Sequence, residues 1–152
     1  NGATRSGGVS WSESRVIDNN GSDEERAAAR RLDTERCWED LVDDPNWDEE
    51  PGIGGFSFLD AIGFAYYLAP AMIRCTRRGG GQFVSYALLV DGAFRREQIR
   101  SLDAVHLAAI ARFVRFMIVV QRASGDEISG ESWQHAYRAF WREWDQGEKL
   151  EL

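Results

Sequence analysis

The sequence predicts an all-α protein, built as a single compact bundle of five or six helices. Apolar residues recur at helical spacing along most of the 152 residues, and the one β-friendly segment lacks an obvious partner strand. A chain of this length suits one domain, and 43% hydrophobic residues suffice for a buried core. We expect a flexible arm over residues 1–21, the helical domain over 22–146 and a tail over 147–152.

The beginning of the chain predicts a loose segment followed by a helix. Glycine, serine and asparagine dominate the first residues, as in flexible segments, although four apolar side chains could let part of the arm lie on the domain: Val9, Trp11, Val16 and Ile17. A helix is expected to open at Ser22, because Glu25 completes a capping box and acidic residues favour the N-terminal end of a helix. Leu32 and Trp38 would line its inner face. Pro45 ends the pattern.

The segment 57–72, SFLDAIGFAYYLAPAM, is apolar on all sides, which indicates a buried position. Pro70 cannot donate a backbone hydrogen bond, so we expect a proline-broken central helix. The apolar run is interrupted by Gly63 and falls short of the ~20 residues that cross a membrane. With no apolar signal segment at the start, the sequence predicts a cytoplasmic protein without membrane contact.

Three further helices are expected in the second half of the chain. Residues 83–90 suit a strand or a helix, and we favour a helix. A long amphipathic pattern runs from Asp103 to about Arg122 and is closed by Gly125. The last segment, SWQHAYRAFWREWD, repeats aromatic residues at helical spacing. We interpret this stripe as core and not as a ligand site.

Two of these segments resemble a known family. FSFLDAIGFAYYLAPAM is similar to the pattern sFL…F.fYLPAym, and LDAVHLAAIARFVRFM is similar to Lt.eq..ai..FL.yl. Both patterns belong to a family of short bacterial proteins known only as a domain of unknown function. The resemblance extends over about residues 36–144 and rests on apolar and aromatic positions. It implies a bacterial source and a helical domain, and it supplies no catalytic residue.

Charge is distributed unevenly along the chain. Residues 33–50, here called the acidic segment, hold nine acids and one arginine, so the remaining residues sum to about +1 of the total −7. The middle of the chain is basic, with six arginines: Arg74, Arg77, Arg78, Arg95, Arg96 and Arg100. They are suited to an acidic partner, to phosphate or to pairing with the acidic segment, and the sequence leaves these alternatives open.

We interpret the acidic segment as a binding surface for a basic partner protein. Tryptophans inside a charged rim are typical of protein interfaces, although a solvated acidic face is the alternative. The predicted contact residues are Trp38, Glu39, Asp40, Asp43, Asp44, Trp47, Asp48, Glu49 and Glu50. This pattern favours a small acidic protein-binding module. More narrowly, it favours an immunity-type protein that binds a basic partner protein and neutralises it. No nucleic-acid partner is expected.

The alternative function is a small helical enzyme with a pocket near His106 and the central arginines. Asp103 lies on the same helix face as His106, and Cys75 has the chemistry of a nucleophile. The glycine-rich stretches match no phosphate-binding pattern, and the acids lack the spacing of a calcium loop. We therefore predict no catalytic residue, cofactor or metal. A scaffold subunit, marked by an exposed apolar patch, is the third class considered.

Overall fold

The structure, a computed structural model, describes residues 5–79, 81–125 and 127–147, without the side chains of 127–129. Within these ranges the chain is all-helical and has no strand, which confirms the predicted fold class. The α-helices are α1 Trp11–Asp18, α2 Asp23–Arg30, α3 Glu39–Val42, α4 Ala61–Arg78, α5 Gln82–Ala87, α6 Ala93–Ile99, α7 Ala104–Ser124 and α8 Glu127–Ala139. Two 3₁₀ helices cover Gly55–Phe58 and Trp141–Glu143. Apart from Gly147, the predicted tail lies outside the described residues.

The predicted count of five or six helices is not confirmed, because the described ranges contain eight α-helices. One reason is that the helix expected from Ser22 to Pro45 is two helices, α2 and α3. Between them Asp33 accepts hydrogen bonds from the backbone amide and the hydroxyl of Ser12, at 2.8 and 2.7 Å. This contact draws the connection away from a helical path. Leu32, expected on an inner face, is 73% exposed.

The beginning of the chain is folded against the domain, which corrects the prediction of a flexible arm. Residues 1–4 lie outside the described part, but α1 starts with a capping box between Ser10 and Glu13. Trp11 is 3% exposed. Its indole packs 5.1–5.3 Å from the rings of Trp47, Phe56 and Tyr67. The first helix is therefore part of the core.

The central helix α4 is continuous, so the predicted break at Pro70 is not confirmed. Asp60 caps its N-terminus by accepting the Gly63 amide at 2.8 Å. Pro70 lacks the donor for one helical hydrogen bond. The helix nevertheless continues because its apolar side chains are buried on most sides, and Phe64 and Tyr67 have no exposed surface. The prediction that this segment is core is confirmed.

The second half of the chain follows the sequence patterns closely. α5 confirms the choice of helix near residues 83–90. α7 is capped by Asp103 and ends at Gly125, whose φ of 74° is the left-handed conformation that glycine adopts readily. α8 and the 3₁₀ helix after it pack against α7. The aromatic stripe is core, with three side chains fully buried: Trp133, Tyr137 and Trp141.

α7 differs from the other described helices in its length and apolar composition, which also suit a membrane-crossing helix. Half of its most apolar stretch is buried inside the domain, as in an ordinary core helix. Its outer face exposes three large apolar side chains, those of Val105, Phe116 and Val119. All of the described α-helices except α2 contribute to one hydrophobic cluster that extends from Trp11 to Trp141.

Candidate functional site

A buried arginine of α4 organises the acidic segment. Arg74 is 1% exposed, and its guanidinium donates to the backbone carbonyls of Val42, Asp44 and Trp47. Its charge is paired with the carboxylate of Glu49. A buried cation is stable when it is paired and fully hydrogen-bonded, so these four contacts hold the segment against α4.

Other arginines of α4 also pair with the acidic segment. The Arg77 guanidinium lies 2.7 Å from Asp43 Oδ1, and that of Arg78 lies 3.4 Å from Glu49 Oε1. Together with Arg74 they show that half of the central arginines pair with the acidic segment, which was one of the alternatives left open by the sequence. Such pairs reduce the negative charge that the segment presents to solvent.

The three remaining central arginines lie away from the acidic segment. Arg95 donates to the backbone carbonyl of Phe56 and to Gln98 Oε1, at 3.1 and 2.6 Å. Burial lowers the pKa of Arg95. Arg100 pairs with Glu97 on the surface, and Arg96 is exposed. These side chains do not converge on one site with the arginines of α4.

The structure divides the nine predicted contact residues between the interior and the surface. Trp47 is 7% exposed, Glu49 is buried, and Trp38 is half-buried against the core. The residues that keep substantial exposure are Glu39, Asp40, Asp43, Asp44 and Asp48. A binding surface formed by all nine side chains is therefore corrected to a smaller acidic surface.

Glu50 has a structural position instead of a surface one. Its half-buried carboxylate lies near the backbone amides of Gly81 and Phe83 at the start of α5, and these amides favour its charged form. Its Oε1 is buried without a hydrogen-bond partner among the described residues. Burial raises the pKa of this carboxyl group, and the neighbouring Glu49 charge adds to the increase.

The remaining acidic surface is concave. A cleft of about 420 Å³, here called the acidic cleft, lies between α1, the connection after α2, and the segment from α3 to residue 48. Five carboxylates and one guanidinium line it, from Asp33, Glu35, Asp40, Asp44, Asp48 and Arg15. Trp11 and Trp47 contribute aromatic surface. The cleft thus combines negative charge with aromatic rings.

The cleft keeps part of the predicted site and adds residues that the sequence interpretation missed. Asp40, Asp44, Trp47 and Asp48 were predicted and do line it. Trp11, Asp33 and Glu35 were not among the predicted contacts. The last two belong to the acidic segment, so its charge was a usable signal. No local pattern indicated that Trp11 comes near them.

At one end of the cleft the carboxylates are already paired. Arg5 Nη1 lies 2.8 Å from Glu35 Oε1 and 3.8 Å from Asp33 Oδ2. The Tyr67 hydroxyl accepts from Arg5 and from the Trp11 amide, and donates to Glu35 at 2.9 Å. Burial raises the pKa of Tyr67, so this hydroxyl keeps its proton at neutral pH.

At the other end the carboxylates lack ionic partners. The Asp44 and Asp48 side chains accept the backbone amides of Asn46 and Glu50, at 2.8 and 3.0 Å. Neither forms an ion pair within the described ranges. Asp40 lies in sequence between the paired residues and Asp44. Its carboxylate accepts the backbone amide of Arg36, and this hydrogen bond lowers the pKa of Asp40. Negative charge is therefore available beside Trp47.

The residues of the enzyme alternative do not form a common pocket. His106 Nδ1 lies 2.7 Å from Asp103 Oδ1, and both side chains are exposed at the start of α7. Cys75 is buried, and burial raises the pKa of its thiol to about 12, the opposite of what a nucleophile needs. His106 lines neither the acidic cleft nor a 50 Å³ cavity beside Arg95. The arrangement matches a helix cap.

No metal centre is formed by the part of the chain that the structure describes. Groups of three or more histidine, cysteine, aspartate and glutamate side chains with suitable geometry are absent from it. The two cysteines, Cys37 and Cys75, are both free. The acidic cleft is therefore the strongest candidate site on the described surface.

Comparison with known proteins identifies a family without a known activity. A family model described as "Family of unknown function (DUF6714)" matches residues 1–145. This match confirms the resemblance to a domain of unknown function that the sequence patterns indicated. No curated protein and no solved structure matches the chain.

Proposed function

The chain belongs to the DUF6714 family, and because the function of that family is unknown, we propose one from the geometry of this protein. The proposed function is that of a protein-binding module, which captures a basic partner protein through the acidic cleft. The narrower form of the proposal is that binding neutralises the partner in the cytoplasm, in the manner of an immunity protein.

One observation carries the proposal: Asp44 and Asp48 line a cleft beside buried tryptophans and have no ionic partner in the described structure. Carboxylates of this kind attract a basic surface from a distance and accelerate its association. Aromatic side chains at the centre of a charged rim are frequent anchors of protein interfaces. The net charge of −7 adds to the attraction.

The test is affinity capture from the native host followed by measurement of Kd for the purified partner. The site variant is Asp44→Asn/Asp48→Asn, because asparagine keeps the oxygen that accepts the amides of Asn46 and Glu50. We expect a basic partner whose Kd increases about tenfold in this variant, or about 1.4 kcal/mol. The Kd should also increase as salt screens the charges.

A matched control variant distinguishes an effect of the two carboxylates in the cleft from an effect of the total negative charge of the protein. Glu24→Gln/Asp91→Asn removes the same two charges from exposed positions outside the cleft. The Kd of this control should increase much less than that of the site variant, because only the small contribution of the total charge is lost. An equal loss in both variants, or a partner whose binding is independent of salt, contradicts the proposal. Glu49 is left unchanged because it pairs with buried Arg74.

A further inference from the structure

We infer that the acidic cleft receives one arginine side chain of the partner. Its guanidinium binds the carboxylates of Asp44 and Asp48, beside the indole of Trp47. This inference rests on the proposed function and specifies the chemical group that the same site recognises. Three observations support it: the volume of the cleft, the Trp47 indole N–H without an acceptor, and the contacts that the guanidinium groups of Arg5 and Arg74 already make near the cleft.

The size of the cleft suits a side chain. Its volume of about 420 Å³ lies near the lower end of the roughly 300–1,000 Å³ that small-molecule sites enclose. A complete helix or strand of a partner does not fit such a space, whereas a long side chain and its adjoining backbone do. The carboxylates that line the cleft require that this side chain be cationic.

Trp47 provides an observation that is independent of the acidic charge. It lines the cleft and is 7% exposed, yet its indole Nε1 has no hydrogen-bond acceptor in the described part of the chain. A buried N–H without an acceptor is uncommon and destabilising. An arginine residue of a partner supplies a guanidinium for the carboxylates beside this indole, and an accompanying shift of the ring would bring its N–H to a backbone carbonyl of the same residue.

The choice of arginine over lysine follows from the walls of the cleft. At its paired end the guanidinium of Arg5 binds Glu35 and the Tyr67 hydroxyl. The guanidinium of Arg74, which does not line the cleft, lies 5.0 Å from the centre of the Trp47 ring. A planar guanidinium binds carboxylates through two parallel N–H groups and stacks on aromatic rings, whereas an ammonium group does neither as well.

The experiment is a titration of the full chain, labelled with ¹⁵N at tryptophan, followed by NMR of the assigned Trp47 indole N–H. The probe is arginine capped at both ends, N-acetyl-L-arginine-N-methylamide. We expect a saturable shift of this signal, with a Kd that increases about tenfold in Asp44→Asn/Asp48→Asn. Glu24→Gln/Asp91→Asn should leave the Kd unchanged.

Three related probes test the chemistry. The capped lysine analogue should bind at least about threefold more weakly, and the neutral citrulline analogue should cause no saturable shift. Free L-arginine should bind no more tightly than the capped probe, because its α-ammonium and α-carboxylate carry opposite charges whose effects in the cleft largely cancel. Equal binding of lysine and arginine, tighter binding of free arginine, or a Kd insensitive to the aspartate changes overturns the inference.

The outcome distinguishes this inference from the proposed function. If the purified partner discriminates between the wild type and the aspartate variant but the capped arginine causes no shift, the inference is wrong and the proposed function stands. If the capped arginine binds as expected but partner binding is insensitive to the aspartates, the arginine site stands and the proposed function is wrong.

Discussion

At the scale of single residues, Arg74 illustrates why charge alone did not define the site. Arg74 and Arg77 lie one turn apart on α4 and have the same chemistry, yet one is buried and the other is exposed. The difference lies in their partners, because the acidic segment offers Arg74 three backbone carbonyls and the carboxylate of Glu49, whereas Arg77 meets only Asp43 at the surface. No pattern in the sequence indicated these partners, and arginine is so often exposed that Arg74 was counted as part of a basic surface.

Replacement of Arg74 should therefore destabilise the fold. Arg74→Ala leaves Glu49 without its buried partner and three backbone carbonyls without a donor. We expect the free energy of unfolding to decrease by about 3–5 kcal/mol in urea titrations. Arg77→Ala, which removes an exposed ion pair with Asp43, should cost at most about 1 kcal/mol. Equal losses would show that Arg74 does not organise the segment.

At the scale of elements, capping residues in the sequence correctly predicted where two of the helices begin. The Ser22–Glu25 capping box and the Asp103 start of α7 were both recognised and are present. The same signal occurs at Ser10 and Glu13, but the glycine-rich composition around it suggested a flexible arm. A capping box is thus a better indicator than average composition over such a short stretch.

The ends of helices that depend on distant residues were not predictable in this way. α2 ends at Arg30, and the connection that follows is held through Asp33 by Ser12 and through Glu35 by Arg5. These contacts join residues about twenty to thirty positions apart. Apolar residues do recur at helical spacing beyond α2, but the tertiary hydrogen bonds of this connection outweigh that local preference and end the helix.

The cap of α7 should give a measurable pH dependence. The His106 backbone amide is the main cause of the low pKa of Asp103, whose ordinary value is 3.8. Because the folded pKa is lower than the unfolded one, the charge stabilises the fold above about pH 4, and this contribution is lost as the pH falls through the folded pKa. Asp103→Asn keeps an acceptor but lacks the charge, so it should be less stable than the wild type at pH 7.

The measurement is the urea midpoint of both proteins as the pH is lowered from 7 towards 3. The two midpoints should converge at the acidic end, because Asp103 becomes neutral in the wild type as well. A difference that stays constant over this range would assign the effect of the substitution to hydrogen-bond geometry and would contradict a contribution from charge.

At the scale of the whole molecule, the acidic cleft is a product of the fold and not of one segment. Asp44 and Asp48 were predicted as contacts because they lie in the acidic run. Trp11 comes from a helix that was expected to be loose, and its Nε1 donates to the Asp48 carbonyl at 2.9 Å. The cleft therefore depends on α1 being docked, which a pattern within 33–50 cannot indicate.

Docking of α1 leads to a prediction for the stability of the whole domain. Trp11→Ala removes a buried indole from contact with three aromatic rings, so the free energy of unfolding should decrease by about 3–5 kcal/mol. Leu32→Ala, at a position that is 73% exposed, should change it by at most about 0.5 kcal/mol.

Circular dichroism and tryptophan fluorescence should report one coincident urea transition for the wild type, because α1 shares the core of α4 and α8. A loosely attached α1 would instead leave the Trp11→Ala protein as stable as the wild type, and the acidic cleft would lose one of its walls without any loss of the fold.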